Sequence, residues 1–162
     1  MPGAEKINGQ LYQDLSDRGF TFLAHIRMPL IELPLFQSWG TALLSADGKV
    51  LAMLLDSEIK KGIHRTLLSY DNDKFVITTD FGSPQAKFPA QVHYKIIEKS
   101  KTNADMIELH TAMIDGNFEN LSAKAWNCLE KLIHNILRFL ESETAERKRS
   151  STAEVSANSE NK

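Results

Sequence analysis

The stretch SYDNDKFVITTDFGSP, residues 69–84, places Asp71, Asp73 and Asp80 within ten positions, with Thr78 and Thr79 beside the last. Carboxylate and hydroxyl oxygens at that density are what a hard cation or a bound phosphate requires. A calcium loop of the EF-hand type needs oxygens at its positions one, three and five, glycine at six and a bidentate glutamate at twelve. Counted from Asp71, position five is Phe75, position six is Val76 and position twelve is Gly82, so the pattern fails after two ligands. Asp-Asn-Asp between apolar runs is instead turn chemistry, because Asp and Asn bond their own backbone and tolerate left-handed angles. Thr78 and Thr79 fit a strand through their β-branching.

Histidine supplies the other reactive side chains. On its predicted helix His110 lies among Met106, Ile107, Met113 and Ile114 at helical spacing, which turns the imidazole toward an apolar face. Such a group can be a general base or a metal ligand, or a buried residue with its hydrogen bonding satisfied. Catalysis would need an orienting carboxylate and a nucleophile brought near in space; Glu108 lies about 200° around the helix and cannot serve. His93 and His110, with Asp71, Asp73 or Asp80, are therefore the weak catalytic candidates. His25, His64 and His93 fall on three predicted strands and could converge on zinc, but there is no HExxH and Cys128 is the sole cysteine, so no metal site is expected. Cys128 is expected to act as a small buried hydrophobe. Gly40, Gly48, Gly62 and Gly82 assemble into neither GxGxxG nor GxxxxGK[ST], and no cofactor is expected. Trp39-Gly40 reads as an aromatic packed beside a glycine bulge, with a close backbone approach or a ligand-stacking edge as alternatives.

The elements that must position these residues follow from patterning. The 162 residues suit one domain, and 42% apolar residues suffice for a core. Nineteen basic against twenty-one acidic residues leave a formal charge of −2, which gives no long-range field for nucleic acid or anionic lipid. One cysteine precludes an intrachain disulfide, the beginning MPGAEKINGQ lacks the pattern of a secretory signal, and no run approaches the ~20 apolar residues that span a bilayer. A cytoplasmic protein is the expectation.

Ile7, Leu11 and Leu15 recur at intervals of four and predict a first helix stopped by Gly19. GFTFLAHIRMP alternates as a strand, Phe20, Phe22, Ala24 and Ile26 against Thr21, Leu23, His25 and Arg27. Pro29 and Pro34 bracket an irregular segment. Residues 36–55 predict a hairpin closed by a two-residue turn at Asp47-Gly48, and VLAMLL, apolar on both faces, belongs inside the sheet. IHRTLLSY, KFVITTDF and, after a loop containing Pro84 and Pro89, VHYKII complete five or six strands in an antiparallel meander. Thr102 with Asp105 resembles a capping box for the next helix, with Gly116 as its stop. Ser122 is the expected N-cap of the last helix, with a staple between Leu121 and Trp126. That helix carries Trp126, Leu129, Ile133, Ile136 and Leu140 at intervals of three, four, three and four, widened by Cys128, Leu132 and Leu137. The expected fold is α+β: a five- to six-stranded meander with the N- and C-terminal helices on one face. Residues 1–144 form the domain, and 145–162, with only Val155 as a large aliphatic residue, form a disordered polar tail. Its basic run, Arg147 to Arg149, suits a solvated helix end.

Gly19-Phe20 opening a strand, a proline break, the Asp47-Gly48 hairpin, Tyr70 before an acidic turn, a strand ending Thr78-Thr79 and Leu109-His110 on a helix together resemble a loose group of uncharacterised bacterial α+β proteins. The resemblance covers roughly residues 11–115 and implies a shared domain. It carries no catalytic residues over, and the turn departs from it, with Asp71-Asn72-Asp73-Lys74 in place of Asp-Gly.

The leading expectation is a non-catalytic binding or protein-interaction module for a protein or small ligand, dimeric through the apolar stripe Trp126, Leu129, Ile133, Ile136 and Leu140. The rivals are a small hydrolase or isomerase with a His/Asp site at the end of the sheet, which predicts a pocket holding an imidazole near a carboxylate, and a secretion or assembly chaperone, which predicts an exposed apolar groove.

Overall fold

The computed structural model describes residues 2–31, 33–59, 62–82, 87–114 and 118–160, with side chains described from residue 9 to residue 149. Pro84 and Gly116, read above as loop and helix-stop residues, lie outside them. The elements are α1 (Pro2–Asp17), β1 (Thr21–Pro29), β2 (Gln37–Leu44), β3 (Leu51–Ser57), β4 (His64–Asp71), β5 (Lys74–Thr79), β6 (Val92–Ile96), α2 (Asn103–Met113) and α3 (Ala125–Glu160). The fold is α+β. One sheet runs in the order β1-β2-β3-β4-β5-β6. The first four pairings are antiparallel, as a meander requires, and β6 joins β5 in parallel. β6 therefore begins at the same end of the sheet as β5, where a meander would begin it at the other.

Each sheet face has its own core. Ile26, Ala42, Leu51, Met53, Leu55, Leu68, Phe75 and Ile77 meet Ala125, Cys128, Leu129, Leu132 and Ile136 of α3. On the opposite face Leu43, Ala52, Leu54 and Leu67 meet Leu15 of α1 and Met106 of α2. The expectation of both terminal helices on one face is corrected here: they lie on opposite faces, because strand residues alternate and β3 is buried along both of its sides.

Local chemistry explains the junctions. α1 ends in a Schellman motif, with Gly19 N–H bonded to Ser16 O, Phe20 N–H to Leu15 O, and Gly19 at φ +92°. A register shift between Phe22 and Ala24 breaks the alternation expected for β1, leaving Phe22 exposed while Leu23 and Ala24 both lean on the α3-side core. The β2–β3 turn is longer than the two residues expected: Ser45 N–H bonds Val50 O, Gly48 N–H bonds Ser45 O, and Gly48 alone takes a positive φ, +74°. The capping box at Thr102 and Asp105 is present. Ser122 is not the N-cap of α3; it bonds Asn120 in the preceding turn, and the first helical bond runs from Cys128 N–H to Lys124 O. α3 continues as helix to Glu160, through the segment expected to be disordered, but its last core residue is Ile136.

Gly40 shows why its position takes no side chain. A Cβ there would overlap the Leu54 carbonyl of β3. The close backbone approach, rather than packing of Trp39 beside a bulge, accounts for this glycine, and Trp39 is 42% exposed.

Candidate functional site

The acidic stretch divides. Asn72 and Asp73 take φ of 44° and 67° between the paired residues Asp71 and Lys74, which is a two-residue hairpin turn with both central residues left-handed. Asp73 accepts from Tyr70 Oη at 3.0 Å and forms an ion pair with Lys131 of α3. These contacts hold its carboxyl below the usual range, Lys131 first and Tyr70 second. Asp80 follows the far end of β5, roughly 23 Å from Asp73 at the rise of a strand. There it is buried, its Oδ2 2.8 Å from Arg65 Nε and its Oδ1 accepting Arg65 N–H at 2.9 Å. Arg65 also donates from Nη1 to Asn103 Oδ1 at 3.0 Å and from Nη2 to Lys99 O at 3.2 Å, and Asn103 Nδ2 donates to Asp14 of α1 at 2.8 Å. This chain of bonds ties β4, β5, α1 and α2 together. A carboxylate and guanidinium so engaged have little capacity left for a substrate.

His110 occupies the centre of the α2-side interior with no exposed surface. Its Nε2 lies 2.8 Å from Ser69 Oγ and its Nδ1 2.9 Å from Thr78 Oγ1. Ser69 donates its single hydroxyl proton to Lys49 O at 2.7 Å, so His110 must carry its proton on Nε2 and accept from Thr78 at Nδ1. The ring is neutral, and burial pulls its pKa from 6.5 down to about 4. A serine beside a histidine is the beginning of a nucleophile–base pair, yet Ser69, Thr78 and His110 are all fully buried and the third group is a hydroxyl, not a carboxylate. The pair joins α2 to two strands and to the turn before β3.

The three strand histidines stay apart. His93 is exposed on β6 opposite Val76, His64 is buried on β4 and stacks on Phe81 at 4.3 Å, and His25 lies on β1 with an edge-on contact to Phe22 at 5.2 Å. Among the described residues, no group of three His, Cys, Asp or Glu side chains is placed to hold a metal ion. Burial pushes the Cys128 thiol up to about 12, which removes its nucleophilicity at neutral pH.

The apolar stripe of α3 also separates. Leu129 and Ile136 are buried in the chain's own core, Ile133 is half-buried, and Trp126 and Leu140 are 47% and 38% exposed. Between the outer flank of this helix and β1 runs a groove of about 440 Å³, lined by residues 25–29 and by Trp126, Leu129, Glu130 and Ile133. β1 is the terminal strand of the sheet, so the groove lies along an edge whose backbone has no strand neighbour among the described residues.

Sequence reasoning missed Ser69, Arg65 and Asn103. Arg65 carried a signal, a cation inside an otherwise apolar strand whose charge needs a buried partner. Ser69 carried none, since its partner His110 stands 41 positions away. Among the described residues, no helix is long and apolar enough to cross a membrane. No protein-family model, no curated protein and no solved structure matches the chain.

Proposed function

We propose that the chain is a non-catalytic protein-interaction module of the cytoplasm whose working surface is the β1 edge together with the outer flank of α3. The supporting observation is the groove between them, where an open strand edge runs beside exposed Trp126. An edge strand next to a helix recognises protein by strand addition: main-chain hydrogen bonds supply affinity, and an adjoining groove takes alternate side chains. The chaperone reading predicts the same kind of apolar groove and differs only in what occupies it.

The test measures association directly. Sedimentation velocity over a range of concentrations reports self-association, and an array of extended apolar peptides reports strand capture. At least one mode is expected for the unaltered protein, and Trp126→Arg abolishes it while leaving the circular dichroism spectrum unchanged. Absence of both modes, or indifference of the observed mode to Trp126→Arg, overturns the reading.

A further inference from the structure

We propose that the sheet face opposite α3 carries, at its β1–β2 end, a stacking platform for a single strand of nucleic acid. This surface is separate from the edge and helix flank described above and stands or falls without them.

Strand register assembles it. Phe22 lies opposite Leu43, His25 opposite Thr41 and Arg27 opposite Trp39. Leu43 belongs to the core beneath α1 and α2, and Thr41 and Trp39 precede it at steps of two along β2, so these side chains share that face. The extra residue between Phe22 and Ala24 brings Phe22 and His25 to the same side, where regular alternation would send them to opposite ones. Their rings meet edge-on at 5.2 Å. α1 and α2 seal this face over Leu43, Ala52, Leu54 and Leu67 but leave Phe22, His25, Arg27 and Trp39 exposed, Phe22 by 48%.

The chemistry on offer selects the occupant. The main chain of β2 is paired on both sides, to β1 and to β3, so a ligand lying over it is held by side chains. Flat rings stand at two positions, Phe22 with His25 and then Trp39, roughly 8 Å from His25 to Trp39 at the rise and spacing of strands. Arg27 is the direct cross-strand neighbour of Trp39, and among the described residues it is in no ion pair. A polymer whose repeat joins one planar ring to one anion answers this arrangement: a base stacks at each ring position, and the phosphate linking them meets the guanidinium. A peptide supplies no such alternation, and a neutral polysaccharide would stack but leave Arg27 without a counter-charge. Asp56, opposite Trp39 on β3, bounds the strip, because its carboxylate repels phosphate and keeps the backbone of the bound strand on the Arg27 side. A net charge of −2 gives no long-range pull on a polyanion, so affinity comes from stacking at contact and responds weakly to salt.

Fluorescence anisotropy of a labelled oligothymidylate of about ten nucleotides tests the platform. The unaltered chain is expected to bind it and to ignore a duplex of the same length, whose bases are already stacked. Log affinity should fall against log salt with a slope of about −0.7, the value for one phosphate contact on a single strand. Trp39→Ala weakens binding at least about fivefold, and Trp39→Phe, which keeps a ring, restores most of it. Arg27→Gln weakens binding and brings the salt slope toward zero. Trp126→Arg, on the α3 side, leaves binding unchanged. Trp39 and Arg27 are exposed, so circular dichroism of their variants should match the unaltered chain. Absence of binding by the unaltered chain overturns the proposal, as does equal binding by Trp39→Ala or a salt slope indifferent to Arg27→Gln. Trp39-dependent capture of cellohexaose with no response to the oligonucleotide assigns the platform to a sugar and overturns it as well.

Discussion

Ser69 and His110, separated by 41 positions in the chain, are joined by a 2.8 Å hydrogen bond in which the imidazole is the donor. The bond directions around them leave no room for a second ring proton. Protonation would force Nδ1–H against Thr78 Oγ1, whose own proton would then need a new acceptor inside the core.

Folding stability is therefore expected to depend on this ring. Its pKa is lowered on folding from 6.5 to about 4, so the unfolded chain binds more protons across that interval. The His110 contribution is complete above about pH 6.5 and is lost as pH falls toward 4, by ~3 kcal/mol in total. Urea midpoints measured between pH 7.5 and 4 should show this slope, and His110→Gln should flatten it by a comparable amount. A parallel profile in the variant would mean that other groups set the acid sensitivity.

Arg65 and Asp80 should behave as a pair. Arg65→Met strands a buried carboxylate and should cost about 3–5 kcal/mol. Asp80→Asn keeps the acceptor for Arg65 N–H and removes the charge. Combining the two should cost less than the sum of the single changes, since neither charge is then left alone. Strict additivity in equilibrium denaturation would contradict the coupling.

Gly40→Ala should destabilise the sheet by at least about 1–3 kcal/mol, because the added methyl meets the fixed Leu54 carbonyl and not a mobile side chain. Thermal denaturation reads the loss. An unchanged midpoint would show that β2 and β3 can separate locally without penalty.

Two residues of α3 should part company. Leu132 is fully buried, and its replacement by Ala should cost about 2–5 kcal/mol. Trp126→Ala, at a half-exposed position, should change the stability of the isolated chain by less than about 1 kcal/mol and act on association instead. Equal losses at the two sites would place Trp126 in the core.

What was legible in the sequence is physically selective. Apolar runs bounded by turn residues announced five or six strands, only the first through period-two alternation, and Gly19 and Thr102 announced helix ends through their local bonding. The division of helices between faces was written in VLAMLL: a strand apolar on both sides demands cover on both sides, a step the patterning of the helices alone does not reveal. The bulge at Phe22/Ala24 left no mark, because one extra residue changes register and not composition. Parallel attachment of β6 was equally silent, since the segment between Asp80 and Gln91 is long enough to turn at once or to cross back. At the interior site His110 was visible as a polar residue on an apolar face, while Ser69 looked like any strand serine.

The C-terminal position of α3 has a bearing on how the chain is made. Strand residues as early as Ile26 are sealed by helix residues as late as Ile136. A ribosome adding roughly 5–20 residues per second leaves that sheet face bare for some 3–12 seconds after Ile77 is synthesised. Birth of the protein thus includes an interval in which half its interior is open to strangers, and holding factors that bind nascent chains would have their target there.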